Sequence, residues 1–128
     1  MGNKETERMA IEHVIALERA AGREAVDVST RGYRYDIDSP PRKIEVKAFG
    51  GSARSASLPL EASQLAEAEE DPENFYLYVV DNVGRADAVM GVRVLHGEPL
   101  RAVLERARPS TTYWSSFRAA EYDAAERL

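Results

Sequence analysis

Arg42-Lys43-Ile44-Glu45-Val46-Lys47 is the stretch on which the reading of this chain turns. It is a dense β-forming run that carries charges. Successive side chains of a strand alternate between faces, so Ile44 and Val46 share one face. Glu45 and Lys47 share the other, roughly 7 Å apart by the strand rise. A carboxylate and an ammonium so placed make sense if that face lines a site. Upstream lies a second alternating run, Tyr35-Asp36-Ile37-Asp38. Pairing the two runs would bring Asp36 beside Glu45. Two carboxylates and a lysine converging on one point can bind Mg²⁺ and activate water. Asp38, two residues on and on the same face, competes with Asp36 for that place. The plainer alternative is that Glu45 and Lys47 form exposed cross-strand salt bridges, which contribute little.

Working outward, residues 4–21 carry an apolar stripe at helical spacing, formed by Met9, Ile11, Val14, Ile15, Leu17, Glu18 and Ala21. Gly22 is a natural stop. Glu24–Ser29 reads as a short strand, and Tyr33–Asp38 as a second. Ser39-Pro40-Pro41 forces an extended turn into the third, Arg42–Phe49. Hairpin-length links favour antiparallel pairing of these three. Gly50–Ser57 is small, polar and glycine-rich, either a mobile cover for a substrate or a plain connection. A helix follows over about Glu61–Glu70.

Phe75–Asp81 is the clearest strand, rich in aromatic and β-branched residues. Its continuous apolar character suggests a central position. Ala86–Leu95 is its antiparallel partner, and Glu98–Arg108 a helix with Pro99 in its first turn. Tyr113–Phe117 reads as a strand and Phe117–Leu128 as a short helix. That aromatic tail would close the sheet, cover its edge or contact a partner. The fold class is therefore α/β (α+β), with a mixed, mainly antiparallel sheet flanked by helices in the order α-β-β-β-α-β-β-α.

The 128 residues fit one domain, with a core at about 4–108 and an extension at 109–128. There is no cysteine, hence no disulfide or zinc–cysteine site, and a cytoplasmic setting fits. No apolar run approaches a membrane span, and Met1–Glu5 lacks the apolar core of a signal peptide. The net charge of −5 is uneven. Residues 1–30 are net −2, residues 31–54 net +3, and residues 55–128 net −6. The one basic segment is thus the one that holds the candidate site. Arg31, Arg34, Arg42, Lys43 and Arg54 are its candidate phosphate contacts. A salt-bridged surface hairpin would have the same composition.

Asp36 followed by Glu45-Val46-Lys47 resembles the PD-(D/E)XK nuclease signature, without its usual leading proline. The wider pattern, Gly32-Tyr33-Arg34-Tyr35-Asp36-Ile37-Asp38-Ser39 and then Ile44-Glu45-Val46-Lys47, resembles the NO VEIN C-terminal domain family of that superfamily. The preceding helix, Asp27-Val28-Ser29 and Tyr76-Leu77-Tyr78-Val79-Val80 stand in the expected order, over roughly residues 7 to 81. The resemblance implies a restriction endonuclease-like core and a metal-dependent nuclease acting on DNA, in bacterial restriction or defence. It favours Asp36 over Asp38. It implies Mg²⁺ or Mn²⁺ held by Asp36, Glu45 and the Val46 carbonyl, with Lys47 orienting water. It also implies a first-helix glutamate, here Glu12, with Glu7 and Glu18 as rivals. Gln64 departs from the family, which commonly has a glutamate there; it can still hydrogen-bond near the site. Such domains often end a helicase or ATPase chain, so a partner of that type or a homo-oligomer is expected. The rival expectations are an inactive nuclease-fold module that binds nucleic acid or protein, and a structural subunit that docks through its aromatic tail.

Overall fold

The computed structural model describes residues 3–128. Its elements are α1 (Asn3–Ala20), β1 (Val26–Asp27), β2 (Ile37–Ser39), β3 (Arg42–Ala48), α2 (Ala62–Glu70), β4 (Phe75–Asp81), β5 (Gly91–Leu95), α3 (Gly97–Leu104) and α4 (Ala119–Ala124). The five strands form one sheet in sequence order. β1–β2, β2–β3 and β4–β5 pair antiparallel, while β3–β4 pair parallel. A parallel pair needs a crossover, and α2 supplies it. The mixed, mainly antiparallel sheet flanked by helices is the architecture expected from the sequence.

Alternation along β3 and β4 splits the core into two layers. Ile44, Val46, Tyr78 and Val80 pack with Ala10, Ile11 and Val14 of α1. Phe75 and Leu77 pack on the other face with Ala68 of α2 and Leu100 of α3. Each Val, Leu, Ile or Phe among them contributes roughly 1.5–3 kcal/mol on burial. The buried line of α1 is Thr6, Ala10, Val14 and Glu18, at four-residue spacing, with Ile11 beside it. Leu17 and Ala21, expected in that stripe, are exposed. Gly22 has φ +89°, the left-handed conformation that ends a helix.

Several boundaries differ from expectation, for local reasons. β2 begins only at Ile37, because the Asp36 carboxylate itself accepts the Val46 amide, at 2.9 Å. β5 begins at Gly91, after a turn with Asn82 at φ 58° and an Arg85–Asp87 ion pair. Residues 113–117 form no strand, and every residue from Glu105 to Leu128 is exposed, so the tail neither closes nor covers the sheet. Among the described residues no helix is long and apolar enough to cross a membrane.

Candidate active site

The β2–β3 register pairs Ile37 with Ile44, which sets Asp36 opposite Glu45. Glu45 and Lys47 stand on the α2 face of β3, two residues apart on one strand. The Lys47 Nζ lies 3.2 Å from the Glu45 Oε2. Gln64, in the first turn of α2, completes the cluster. Its Nε2 donates to Glu45 Oε2 at 2.9 Å. Its Oε1 accepts from Lys47 Nζ at 3.2 Å and from the Glu61 amide at 2.9 Å. Gln64 therefore caps α2 and joins that helix to both charged residues of β3.

Glu45 is only 2% exposed. Its Oε1 is buried and receives no hydrogen bond from any donor among the described residues. Burial, followed by the negative charge of Asp36, pushes its carboxyl up to about 8, against the opposing pull of Lys47. Asp36 lies within hydrogen-bonding reach of Glu45 and is also raised. Burial is the chief cause there, partly offset by the Val46 amide, while the charge of Glu7 adds to the rise. Two carboxyls sharing one buried place resist joint ionisation, and both are held above their ordinary values.

The other sequence candidates are dispersed. Glu12 is exposed and pairs with Arg8 one turn back along α1. With Arg31, Arg19 and Asp27 it lines a hollow of about 450 Å³ that contains none of Asp36, Glu45 and Lys47. Among the α1 acids it is Glu7 whose charge acts on Asp36, since a helix turns 100° per residue and sets positions 7 and 12 on different faces. Asp38 pairs with Lys43 across the ladder, two steps beyond the Asp36–Glu45 level.

The basic segment does not form an open patch. Lys43 binds Glu67 at 2.7 Å and Asp71 at 3.0 Å, and Arg34 binds Glu70 at 3.0 Å, all on or beside α2. Arg42 donates to Tyr78 Oη at 2.6 Å and lies over the Tyr76 ring. Arg54 is exposed on the glycine-rich loop, whose Ala53 amide is tied to Asp81 at 3.1 Å. A larger cavity, of about 880 Å³, opens between α2 and α3 and contains none of Asp36, Glu45 and Lys47.

A second buried carboxylate was not assigned a partner set from sequence. Glu18 of α1 receives hydrogen bonds from Arg23, from Ser39 Oγ at 3.0 Å and from Tyr78 Oη at 2.7 Å. The signal that reveals it is an acid inside the apolar stripe of α1. Such a residue is buried only if donors meet it.

Mg²⁺ suits hard oxygen donors and commonly keeps several waters, taking only one or two carboxylates from the protein. Asp36 and Glu45 match that donor set, and the donorless Glu45 Oε1 is the kind of atom a cation satisfies. No group of three or more acidic or histidine side chains is arranged to hold a metal among the described residues. The fit is therefore to a cation held by two carboxylates and main chain or water.

Comparison with curated proteins gave no match, and comparison with solved structures gave none. A family model described as "Protein NO VEIN, C-terminal" matches residues 6–92, a span that includes α1, the whole Asp36–Glu45–Lys47 cluster, Gln64 and β4. With well over half of its length matched, the chain belongs to the NO VEIN C-terminal family.

Proposed function

We propose that this domain is a metal-dependent nuclease that hydrolyses phosphodiesters of DNA, in a cytoplasmic restriction or defence setting. The observation that carries the reading is the convergence of Asp36, Glu45 and Lys47, with one buried Glu45 oxygen left without a donor. The family membership and the resemblance of Asp36…Glu45-Val46-Lys47 to the PD-(D/E)XK signature support it. Asp36 and Glu45 would hold Mg²⁺ or Mn²⁺, with the Val46 carbonyl as the main-chain ligand that the resemblance implies. A bound divalent ion would polarise a phosphoryl oxygen and lower the pKa of a water.

The chain's own residues supply the rest. Lys47, held by Gln64 and Glu45, directs its ammonium to charge that grows on the phosphorane. Gln64 keeps Glu45 oriented by donating to Oε2, which leaves Oε1 for the cation. Lys43 and Arg34 contribute to phosphate binding only when DNA competes with Glu67, Glu70 and Asp71. Affinity of the isolated domain is then weak and shallow in salt, with a log–log slope of about −0.9 per phosphate contacted.

A second reading has its own support. Gln64 replaces a family acid and the cluster has only two carboxylates, so an inactive module that binds nucleic acid or protein, within a larger helicase- or ATPase-type complex, is the alternative. The test is cleavage of a fluorescent DNA across a Mg²⁺ and Mn²⁺ titration. Cleavage that disappears in Lys47→Ala while binding persists is the expected result. Cleavage unchanged in Lys47→Ala would sink the site, and no cleavage with either metal would favour the module.

A further inference from the structure

Lys43, Lys47 and Arg93 are the cations that the strands direct to the α2 face of the sheet. The two lysines alternate with Ile44 and Val46 on β3. Arg93 of β5 joins them, because Leu95, two residues on, packs in the layer of α2 and α3. Lys43 is taken by Glu67 and Asp71, and Lys47 by Glu45. Arg93 is exposed, and no carboxylate among the described residues lies within ion-pair distance of it.

The register sets Arg93 level with Lys47. Lys47 pairs with Val79, and Val79 with Arg93. Neighbouring strands lie about 4.8 Å apart, so the two backbones are roughly 9.6 Å apart along one row. One row deeper, Leu77 is 1% exposed and packs with Ala68 and Leu100. Val79 is only half-buried, so the helix layer gives out at the row of Lys47 and Arg93. Gly91 is the next residue of β5 on this face. Nothing lies within 4 Å of where its Cβ would stand, so the space beside Arg93 is open. Asp81 shares this end of the face, and its carboxylate accepts the Ala53 amide at 3.1 Å.

We propose that Arg93 binds a backbone phosphate flanking the scissile one, on the same DNA strand; this rests on the nuclease reading of the Lys47 site. A DNA strand carries one phosphate per ~3.4 Å of axis, so a strand that leaves Lys47 along the row meets Arg93 within about three phosphates. A guanidinium is always charged, and its fork matches two phosphate oxygens. Arg93 has no acid to give up, whereas Lys43 and Arg34 must first leave theirs. The leading phosphate contact then lies on the β5 edge, outside the basic segment 31–54.

The test sets Arg93→Ala and Arg93→Lys beside Arg106→Ala, which changes net charge as Arg93→Ala does from an exposed position after α3. Binding of a fluorescent duplex DNA is read by anisotropy over a range of salt, in a Lys47→Ala background that leaves the DNA intact. Cleavage kinetics are read with Lys47 present. Arg93→Ala should weaken binding roughly fivefold and make the log–log salt slope shallower by about 0.9. It should raise KM and leave kcat nearly unchanged. Arg93→Lys should recover the slope but only part of the affinity, since the fork is lost. Arg106→Ala should match its parent. These side chains are exposed, so circular dichroism should not change. If the wild type cleaves while Arg93→Ala keeps its affinity, slope and KM, the proposal is overturned and the nuclease reading stands. Equal losses in Arg106→Ala overturn it as an effect of net charge alone. A wild type that binds without cleaving, with the slope lost in Arg93→Ala, sinks the nuclease reading and keeps the phosphate contact. A wild type that neither binds nor cleaves overturns both.

Discussion

Glu18 and Glu45 are equally buried, each 2% exposed, on opposite faces of one sheet. Their surroundings differ in the supply of donors. Burial alone would raise the Glu18 carboxyl, yet the hydrogen bonds from Arg23, Tyr78 and Ser39 outweigh it and hold the group below its ordinary value. Burial raises Glu45 too, and there the neighbouring Asp36 adds to the rise while Gln64 and Lys47 serve only one of its oxygens. A carboxylate that ties α1 to the sheet is given a donor for each lone-pair direction. Glu45 has one buried oxygen without a donor, at a cost to stability.

The pH dependence of stability separates the two most strongly. The folded-state value of Glu45, about 8, lies above the ordinary 4.5. Its contribution is therefore full below pH 4.5 and lost as pH rises through 8, a change of up to about 5 kcal/mol by linkage. Glu18, with its value lowered, works the other way: its stabilisation is present above the ordinary carboxylate range and is lost as pH falls through the folded value. Urea unfolding from pH 4.5 to 8.5 should fall steeply in the wild type and flatten in Glu45→Gln. An unchanged slope in that variant would mean that Glu45 is ionised throughout.

Truncation comes next. Glu18→Ala leaves Arg23, Ser39 and Tyr78 without their acceptor and should cost about 3 kcal/mol. Glu45→Gln at pH 8 should be neutral or stabilising, since it removes a buried charge. Denaturation midpoints of the two variants at pH 8 check this, and a larger loss in Glu45→Gln would erase the distinction.

Gln64→Glu puts a third carboxylate beside Glu45 Oε2 and makes a fuller acidic site. A carboxylate there cannot donate to Glu45 as the amide does, so metal-free stability should drop by about 2 kcal/mol. Mn²⁺ should restore it, read as a larger rise in melting temperature than in the wild type. An equal response in both proteins would show that position 64 does not face the ion.

Glu67→Ala gives the smallest change, about 1 kcal/mol or less, because it breaks partly exposed ion pairs. Lys43 and Arg34 then lose one acid each while Asp71 and Glu70 remain, so DNA binding should tighten modestly and its salt dependence steepen slightly. Binding measured by fluorescence anisotropy at two salt concentrations decides it, and unaltered affinity would remove both residues from the nucleic-acid surface.

Much of this was legible from local pattern. Period-two alternation in 42–48 and the continuous aromatic and β-branched run of 75–81 located the two central strands, and the 3.6-residue period located α1. Those signals are strong because burial of one face constrains every second or every third-to-fourth residue. The same alternation put Glu45 and Lys47 on one face, and hairpin pairing brought the run of Asp36 and Asp38 beside Glu45. The tail was not legible, since the aromatic content of 113–117 is equally that of a strand and of a docking segment.

What the sequence by itself determined is the order of elements through α3 and the face each strand residue occupies, because both follow from short-range geometry; the choice of Asp36 over Asp38 rested on the family resemblance until the β2–β3 register set Asp36 opposite Glu45. Only the tertiary structure decided which charges meet across elements. It set Lys43 and Arg34 against the acids of α2, Gln64 between Glu45 and Lys47, Glu7 rather than Glu12 toward Asp36, and four donors' worth of hydrogen bonds around Glu18. Pairings such as these depend on where whole helices come to rest on the sheet, and that position is set by the summed packing of two core layers rather than by any residue's near neighbours in the chain.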